Sequence, residues 1–374
     1  MIQQDRLLQD FLRLCALSSP GGEEREVADD LIRTLEGLGL KVEEDDAGQK
    51  IGGNAGNLYA MLPGTGTGPA LFFCAHMDTV VPCDQVQPIV RDGAVYSAGS
   101  SILGADNKAG LVAIIEALRV LMETGEPHPT IEVIFTVQEE GGLNGAKAFD
   151  MSRLQSKMGY VLDAAGFAGN IIIRGPAQNN IEAHILGRAA HAGICPEEGI
   201  SAIRIASRAI QQMKLGRIDE ETTANIGTIN GGRATNIVPE RVTIMGEARS
   251  LSLEKLALQT ESMVSAFHIA AEELGGKADV RTKQIYPAIS LDEKDPVVVL
   301  AVQAAEKLGR KATLEGTGGG SDANIFNGAG IPTANLGIGM QKVHTTEEFI
   351  TLEDLELNAR NVLEIIRAAS KWEG

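Results

Sequence analysis

Ile131-Glu-Val-Ile-Phe-Thr-Val137 runs directly into Gln138-Glu139-Glu140-Gly-Gly142, an apolar strand that ends in two adjacent carboxylates. The segment before it, 107–123, carries the apolar spacing of a long helix. The segment after it, near 158–163, reads as another strand and ends in Asp163. Further upstream, helical patterns cover 4–16 and 23–38, and apolar strands lie near 57–62 and 69–76. Strands alternating with helices predict a sheet with helices on both faces. In such sheets ligands bind beyond the strand ends, where loops converge.

The pattern changes after about residue 176. Strand 181–187 leads to helix 200–214, strands 223–230 and 241–249, helix 253–274 and strand 278–286. That order, βαββαβ, is a ferredoxin-like unit. From about 288 the helix–strand alternation resumes, and Thr351-Leu-Glu-Asp354 reads as a capping box opening a last helix. The expected fold is therefore α/β: an α/β/α sandwich formed by 1–176 and 288–374, with an inserted ferredoxin-like α+β domain at 177–287.

The 374 residues suffice for two such domains, and 44% are hydrophobic. The formal charge of -17 argues against nucleic acid and against an anionic membrane surface. Apolar runs such as Val297 to Ala305 are too short to span a bilayer. None of Cys15, Cys74, Cys83 and Cys195 forms a Cys-x-x-Cys pair, so reduced, mostly buried thiols in a soluble cytoplasmic protein are expected.

Phe72-Phe-Cys-Ala-His76-Met-Asp78 places His76 and Asp78 on one face of a strand end. A metal-bound imidazole usually donates its second N–H to a carboxylate, and His-x-Asp supplies both groups. By itself the pair is a weak signal, for which a satisfied surface or core histidine is the better reading. Gly104-Ala-Asp106-Asn-Lys108-Ala-Gly110 precedes an apolar helix, where Asp106 also fits an N-cap. Glu139 and Glu140 repel each other unless positive charge is near, or else they belong to a solvated loop. Asp163 ends its strand as a lone acid, and His344 sits in Val343-His-Thr-Thr-Glu347-Glu348. Mixed His and carboxylate donors suit zinc, with manganese or cobalt as alternatives.

As an ordered set, His76-x-Asp78, Gly104-Ala-Asp106, Glu139-Glu140, Asp163 and His344 resemble the M20 metallopeptidases, and within them the peptidase T (aminotripeptidase) branch. The resemblance covers nearly the whole chain, insert included. It implies two divalent metal ions, first of all Zn2+, bridged by Asp106. His76, Asp106 and Asp163 would hold one metal, and Asp106, Glu140 and His344 the other. Glu139 would be the general base and Asp78 the partner of His76. Aspartate at position 163, where many acylases of the family have glutamate, tilts the expected substrate towards peptides with a free amino terminus. The resemblance also implies a cis peptide between Asp106 and Asn107.

In the insert, His191 of Gly187-Arg-Ala-Ala-His191-Ala-Gly193 matches a family histidine that stabilises the tetrahedral intermediate. Asn236 and Arg249 match positions that bind polar or carboxylate groups of the substrate. Gly316-Thr-Gly-Gly-Gly320-Ser-Asp322 lacks the Lys-Ser/Thr ending of a phosphate loop. The family places such a stretch beside the substrate, with Gly319 and Ser321 facing it. Ala323-Asn324 departs from the Asp-Gly of peptidase T proper, which puts tripeptide selectivity in question. The expected function is an aminopeptidase releasing N-terminal residues from short peptides, working as a homodimer through the insert. The alternatives are a deacylase or dipeptidase with the same metals, and a non-catalytic metal-stabilised binding protein.

Overall fold

The apolar runs of the first half form the middle of a mixed sheet. Its strands lie in the spatial order Val42–Glu44, Leu58–Leu62, Ile131–Thr136, Leu71–His76, Gly159–Ala164, Thr333–Gly337, Asn170–Gly175 and Ile289–Ser290, with Thr313–Gly316 pairing to Asn170–Gly175. The four central strands, Ile131–Thr136 through Thr333–Gly337, run parallel. Leu58–Leu62 and Asn170–Gly175 flank them antiparallel. Every residue of Leu71–His76 and of Ile131–Thr136 is buried. Strands covered on both faces require continuous apolar runs rather than alternation, which is what these segments carry.

The computed structural model describes residues 1–372. Apart from Arg174, Gly175 and Ile289, the sheet belongs to one compact unit, Met1–Ile173, Ser290–Gly316 and the segment from Ser321 onward, an α/β/α sandwich. Helix Ala105–Thr124 packs on its central strands, and helix Leu352–Ala369 packs on that helix in turn. Ala105–Thr124 is buried almost all round, which explains its nearly uniform apolar sequence. At Leu352–Ala369 the Thr351 hydroxyl accepts the Asp354 N–H at 3.0 Å and donates to Asp354 Oδ2. The expected cap is present, and the hydroxyl engages the Asp354 carboxylate as well as its N–H.

A small second sheet, Pro88–Arg91, Ala94–Ser97 and Phe349–Thr351, lies outside the sequence expectation. Its strands are three or four residues long and partly exposed, too short to show a period.

The second unit comprises Arg174–Ile289 and Thr317–Gly320. Its five strands run in the order Gly216–Arg217, Thr222–Gly231, Arg241–Ser250, Ala177–Leu186, Lys277–Tyr286, all antiparallel. This is the ferredoxin-like arrangement. Ile181, Ala183, Ile185, Val242, Ile244 and Ala248 alternate inward. They meet Ile205 and Ala209 of helix Ala202–Gln212 and Met263 and Phe267 of helix Leu253–Glu273 in one core. The four cysteines are free; three are buried and Cys195 is half-buried. Among the described residues, no helix is long and apolar enough to cross a membrane.

Candidate metal centre

Ile131–Thr136, Leu71–His76 and Gly159–Ala164 are parallel neighbours, so their C-terminal ends open on the same edge of the sheet. His76 is the last residue of its strand, Asp163 the last but one of its own, and Glu139 and Glu140 follow the third. Loop residue His344 joins them from 204 positions beyond Glu140.

Asp106 lies between the two histidines. His76 Nε2 is 3.0 Å from Asp106 Oδ1, and His344 Nε2 is 3.3 Å from Asp106 Oδ2. His76 Nε2 is also 3.5 Å from Asp163 Oδ1, and His344 Nε2 is 2.9 Å from Glu140 Oε1. Two triads have all their donor atoms within 4.8 Å of one another: His76, Asp106, Glu140 and His76, Glu139, Asp163. Proximity thus groups Glu139 with the metal-binding donors.

Asp78 is fully buried and touches both sides of the centre. Its Oδ1 lies 3.3 Å from His76 Nδ1, while its carbonyl oxygen lies closer, at 2.9 Å. Its carboxylate accepts the Glu139 N–H at Oδ1 (2.9 Å) and the Glu140 N–H at Oδ2 (3.1 Å). The same side chain therefore orients one imidazole and fixes the backbone of the glutamate pair.

Asp106 is not an N-cap. Gly104 occupies that position, the Asp106–Asn107 peptide is cis, and both residues depart from helical geometry before the helix proper begins. Asn107 Nδ2 donates to Asp163 Oδ1 at 3.2 Å. Glu348, buried beneath, accepts the N–H groups of Gly104 (2.6 Å) and Asp106 (3.0 Å). Asp163 is steadied by its own N–H, which donates to Asn335 Oδ1 at 3.1 Å.

Burial, reinforced by the charge of Asp163, pushes the Glu139 carboxyl well above the usual range. Burial and Asp106 push Asp163 up to about 8. Burial opposes ionisation of Asp106, yet hydrogen bonds from His344 and His76 outweigh it and hold that carboxyl low. Asp106 and Glu140 push His344 up to about 10. Burial disfavours a charged His76, but its three aspartate neighbours outweigh that and raise it. The cluster therefore demands positive charge at its centre, and its N and O donors fit a divalent cation of the zinc, manganese or cobalt type.

The remaining expected residues lie in the second unit, apart from Ser321. His191 is exposed, its Nδ1 accepting the Gly193 N–H at 3.1 Å. It forms a bridge with Ile237, and the carbonyl of the adjacent Asn236 accepts the Ala192 N–H at 2.9 Å. Arg249 is half-buried, and its guanidinium fork grips Glu247 at 2.9 and 3.1 Å, so a substrate carboxylate there would share it. Gly319 donates its N–H to Thr317 Oγ1. Ser321 is buried at the start of helix Asp322–Gly328.

Sequence reasoning missed Asp322 as a member of the site. It is buried, accepts the Thr136 hydroxyl at 2.6 Å, and is raised to about 6 mainly by burial. It also missed Glu348, whose only signal was its place beside Glu347 after His344.

The model of "Peptidase family M20/M25/M40" matches residues 72–368. The Bacillus subtilis protein YqjE is 48% identical over 99% of this chain and 100% of its own length. The crystal structure of aminopeptidase PepT from Bacillus cereus is similar at TM-score 0.92 and 47% identity, covering 99% of this chain and 100% of that one. A tripeptidase from Staphylococcus aureus is similar at TM-score 0.95 and 44% identity, with both chains covered in full.

Proposed function

The chain belongs to peptidase family M20/M25/M40, and on that premise we propose that Glu139 is the general base of its reaction. The protein is a metal-dependent aminopeptidase acting on short peptides such as tripeptides. The observation that carries this reading is the placement of Asp106 between His76 and His344, with Glu139, Glu140 and Asp163 crowded around them.

His76, Asp106 and Asp163 would hold one divalent cation, and Asp106, Glu140 and His344 the other, zinc before manganese or cobalt. Bound there, such cations polarise a scissile carbonyl and make water nucleophilic at neutral pH. The Glu139 carboxylate takes the proton from the attacking water and returns it to the leaving amine nitrogen. Asp78 keeps that carboxylate in place by holding the Glu139 N–H. His191 supplies a hydrogen bond to the oxyanion that develops on the carbonyl, and Asn236, Arg249, Gly319 and Ser321 bind polar groups of the peptide. The chain works as a homodimer through its second unit. Four unpaired cysteines, three of them buried, suit the cytoplasm.

A panel of tripeptides, dipeptides and N-acetylated peptides, assayed on metal-stripped protein reloaded with zinc, manganese or cobalt, tests the reading. Free-amino tripeptides should turn over fastest. Equal or faster cleavage of the N-acetylated set would turn the assignment towards a deacylase.

A further inference from the structure

Gln138, Glu139 and Glu140 lie outside any strand or helix. Their three successive N–H groups are each taken by a carboxylate oxygen from elsewhere in the chain. Asp78 takes two of them. The third, of Gln138, donates at 3.0 Å to Glu24 Oε1, which lies 114 residues earlier.

Glu24 is fully buried and ends the loop Pro20-Gly-Gly-Glu-Glu24. It precedes helix Arg25–Gly37 but makes no side-chain cap to it. Its Oε1 turns back to accept the Gly22 N–H at 2.9 Å and crosses to Gln138. Gly22 has φ of 92° and is further held by its carbonyl, which accepts the Asn54 N–H at 2.9 Å. Gln138 has φ of 50°, a left-handed conformation that residues with a side chain rarely adopt. Its carbonyl is occupied by the Asn144 N–H. Conformations of this kind persist where surrounding contacts over-determine them, and here one of those contacts is Glu24.

We propose that Glu24 is a positioning residue for the reaction: by holding the Gln138 N–H it sets the direction in which the Glu139 and Glu140 side chains leave the backbone. This rests on the reading of Glu139 as base and Glu140 as metal donor. The Gln138 N–H belongs to the Val137–Gln138 peptide, so Glu24 fixes the peptide that leads into the left-handed turn from which both carboxylates leave. Asp78 holds the next two peptides through the Glu139 and Glu140 N–H groups, so the two buried carboxylates together grip the chain on both sides of the left-handed turn at Gln138.

Three variants test the proposal: Glu24→Ala, which removes the acceptor; Glu24→Gln, which keeps an acceptor oxygen at the same reach; and Glu24→Asp, which keeps charge but shortens the side chain. Zn2+ affinity is measured by chelator competition, and kcat and KM at saturating zinc. Glu24→Ala should weaken zinc binding and lower kcat, each by about 10–100-fold, the range for partners that orient metal ligands, with KM little changed. Glu24→Gln should restore both, and Glu24→Asp should fall between them. Should the alanine variant not fold, the glutamine–aspartate pair carries the same comparison. Wild-type zinc affinity and kcat in folded Glu24→Ala or Glu24→Asp would overturn the proposal. So would a loss in Glu24→Gln that Glu24→Asp does not share, which would make charge rather than reach the cause. Glu139→Gln runs in parallel: if it keeps normal turnover, the reading of Glu139 is wrong; if it is inactive while Glu24→Ala is normal, only the positioning role fails.

Discussion

Glu139 and Glu140 are adjacent in sequence and differ in what they touch. Glu140 lies 2.9 Å from His344, whereas Glu139 is more deeply buried and faces Asp163. Glu139→Gln should keep its metals and lose about 10²–10⁴-fold in kcat, the usual contribution of a general base. Glu140→Gln should instead lose metal, which elemental analysis of the two purified variants will separate. Asp78→Ala leaves the His76 ring held by the residue-78 carbonyl alone and frees the N–H groups of both glutamates, so metal affinity should fall about 10–100-fold. The ligand candidates were legible because each sits at the end of an apolar strand or in a motif with its neighbours. Glu24 and Glu348 were not, since each answers to backbone N–H groups, 114 residues away for Glu24 and 244 for Glu348. No local period records a side chain whose partner is distant main chain.

At the scale of elements, the central strands and long helices could be read from their apolar patterns, whereas the turn that opens helix Ala105–Thr124 was legible only through the family resemblance, which implied its cis peptide. A helix with Asp106 as its cap was the simpler local solution. The chain instead turns at Gly104, passes through a cis peptide, and fastens this turn to Glu348. Glu348→Ala leaves two buried N–H groups without their acceptor and should cost about 1–3 kcal/mol, read by urea unfolding, with weaker metal binding beside it. Thr351→Ala removes only a helix cap and should cost about 1 kcal/mol with metal binding intact. The small sheet of Pro88–Arg91, Ala94–Ser97 and Phe349–Thr351 was missed for a related reason: one of its three strands comes from far along the chain.

For the whole molecule, metal and assembly are the two levers. Chelation leaves the crowded carboxylates without their cations and should lower the melting temperature; zinc at a hundred times its dissociation constant contributes about 2.7 kcal/mol. Among the described residues, strand Thr222–Gly231 has a partner on its outer side only at Thr223 and Ala224, and its residues beyond are largely exposed. An open edge of this kind invites pairing with a second copy about a two-fold axis. Sedimentation should show a dimer. Mixing inactive Glu139→Ala and His191→Ala chains should restore part of the activity if each subunit lends a histidine to the other. No recovery after proven subunit exchange would confine His191 to its own chain.

The order of the strands also governs how the protein can be made. Thr333–Gly337 lies between Gly159–Ala164 and Asn170–Gly175, so it must enter a sheet whose neighbouring strands left the ribosome much earlier. The ferredoxin-like unit, by contrast, has all five of its strands once Tyr286 has emerged. A nascent chain stalled near residue 320 should therefore carry a protease-resistant insert beside an incomplete sheet. His344 arrives after that gap is filled, so the growing chain cannot assemble the full metal site, or cleave a peptide, before residue 344 has emerged.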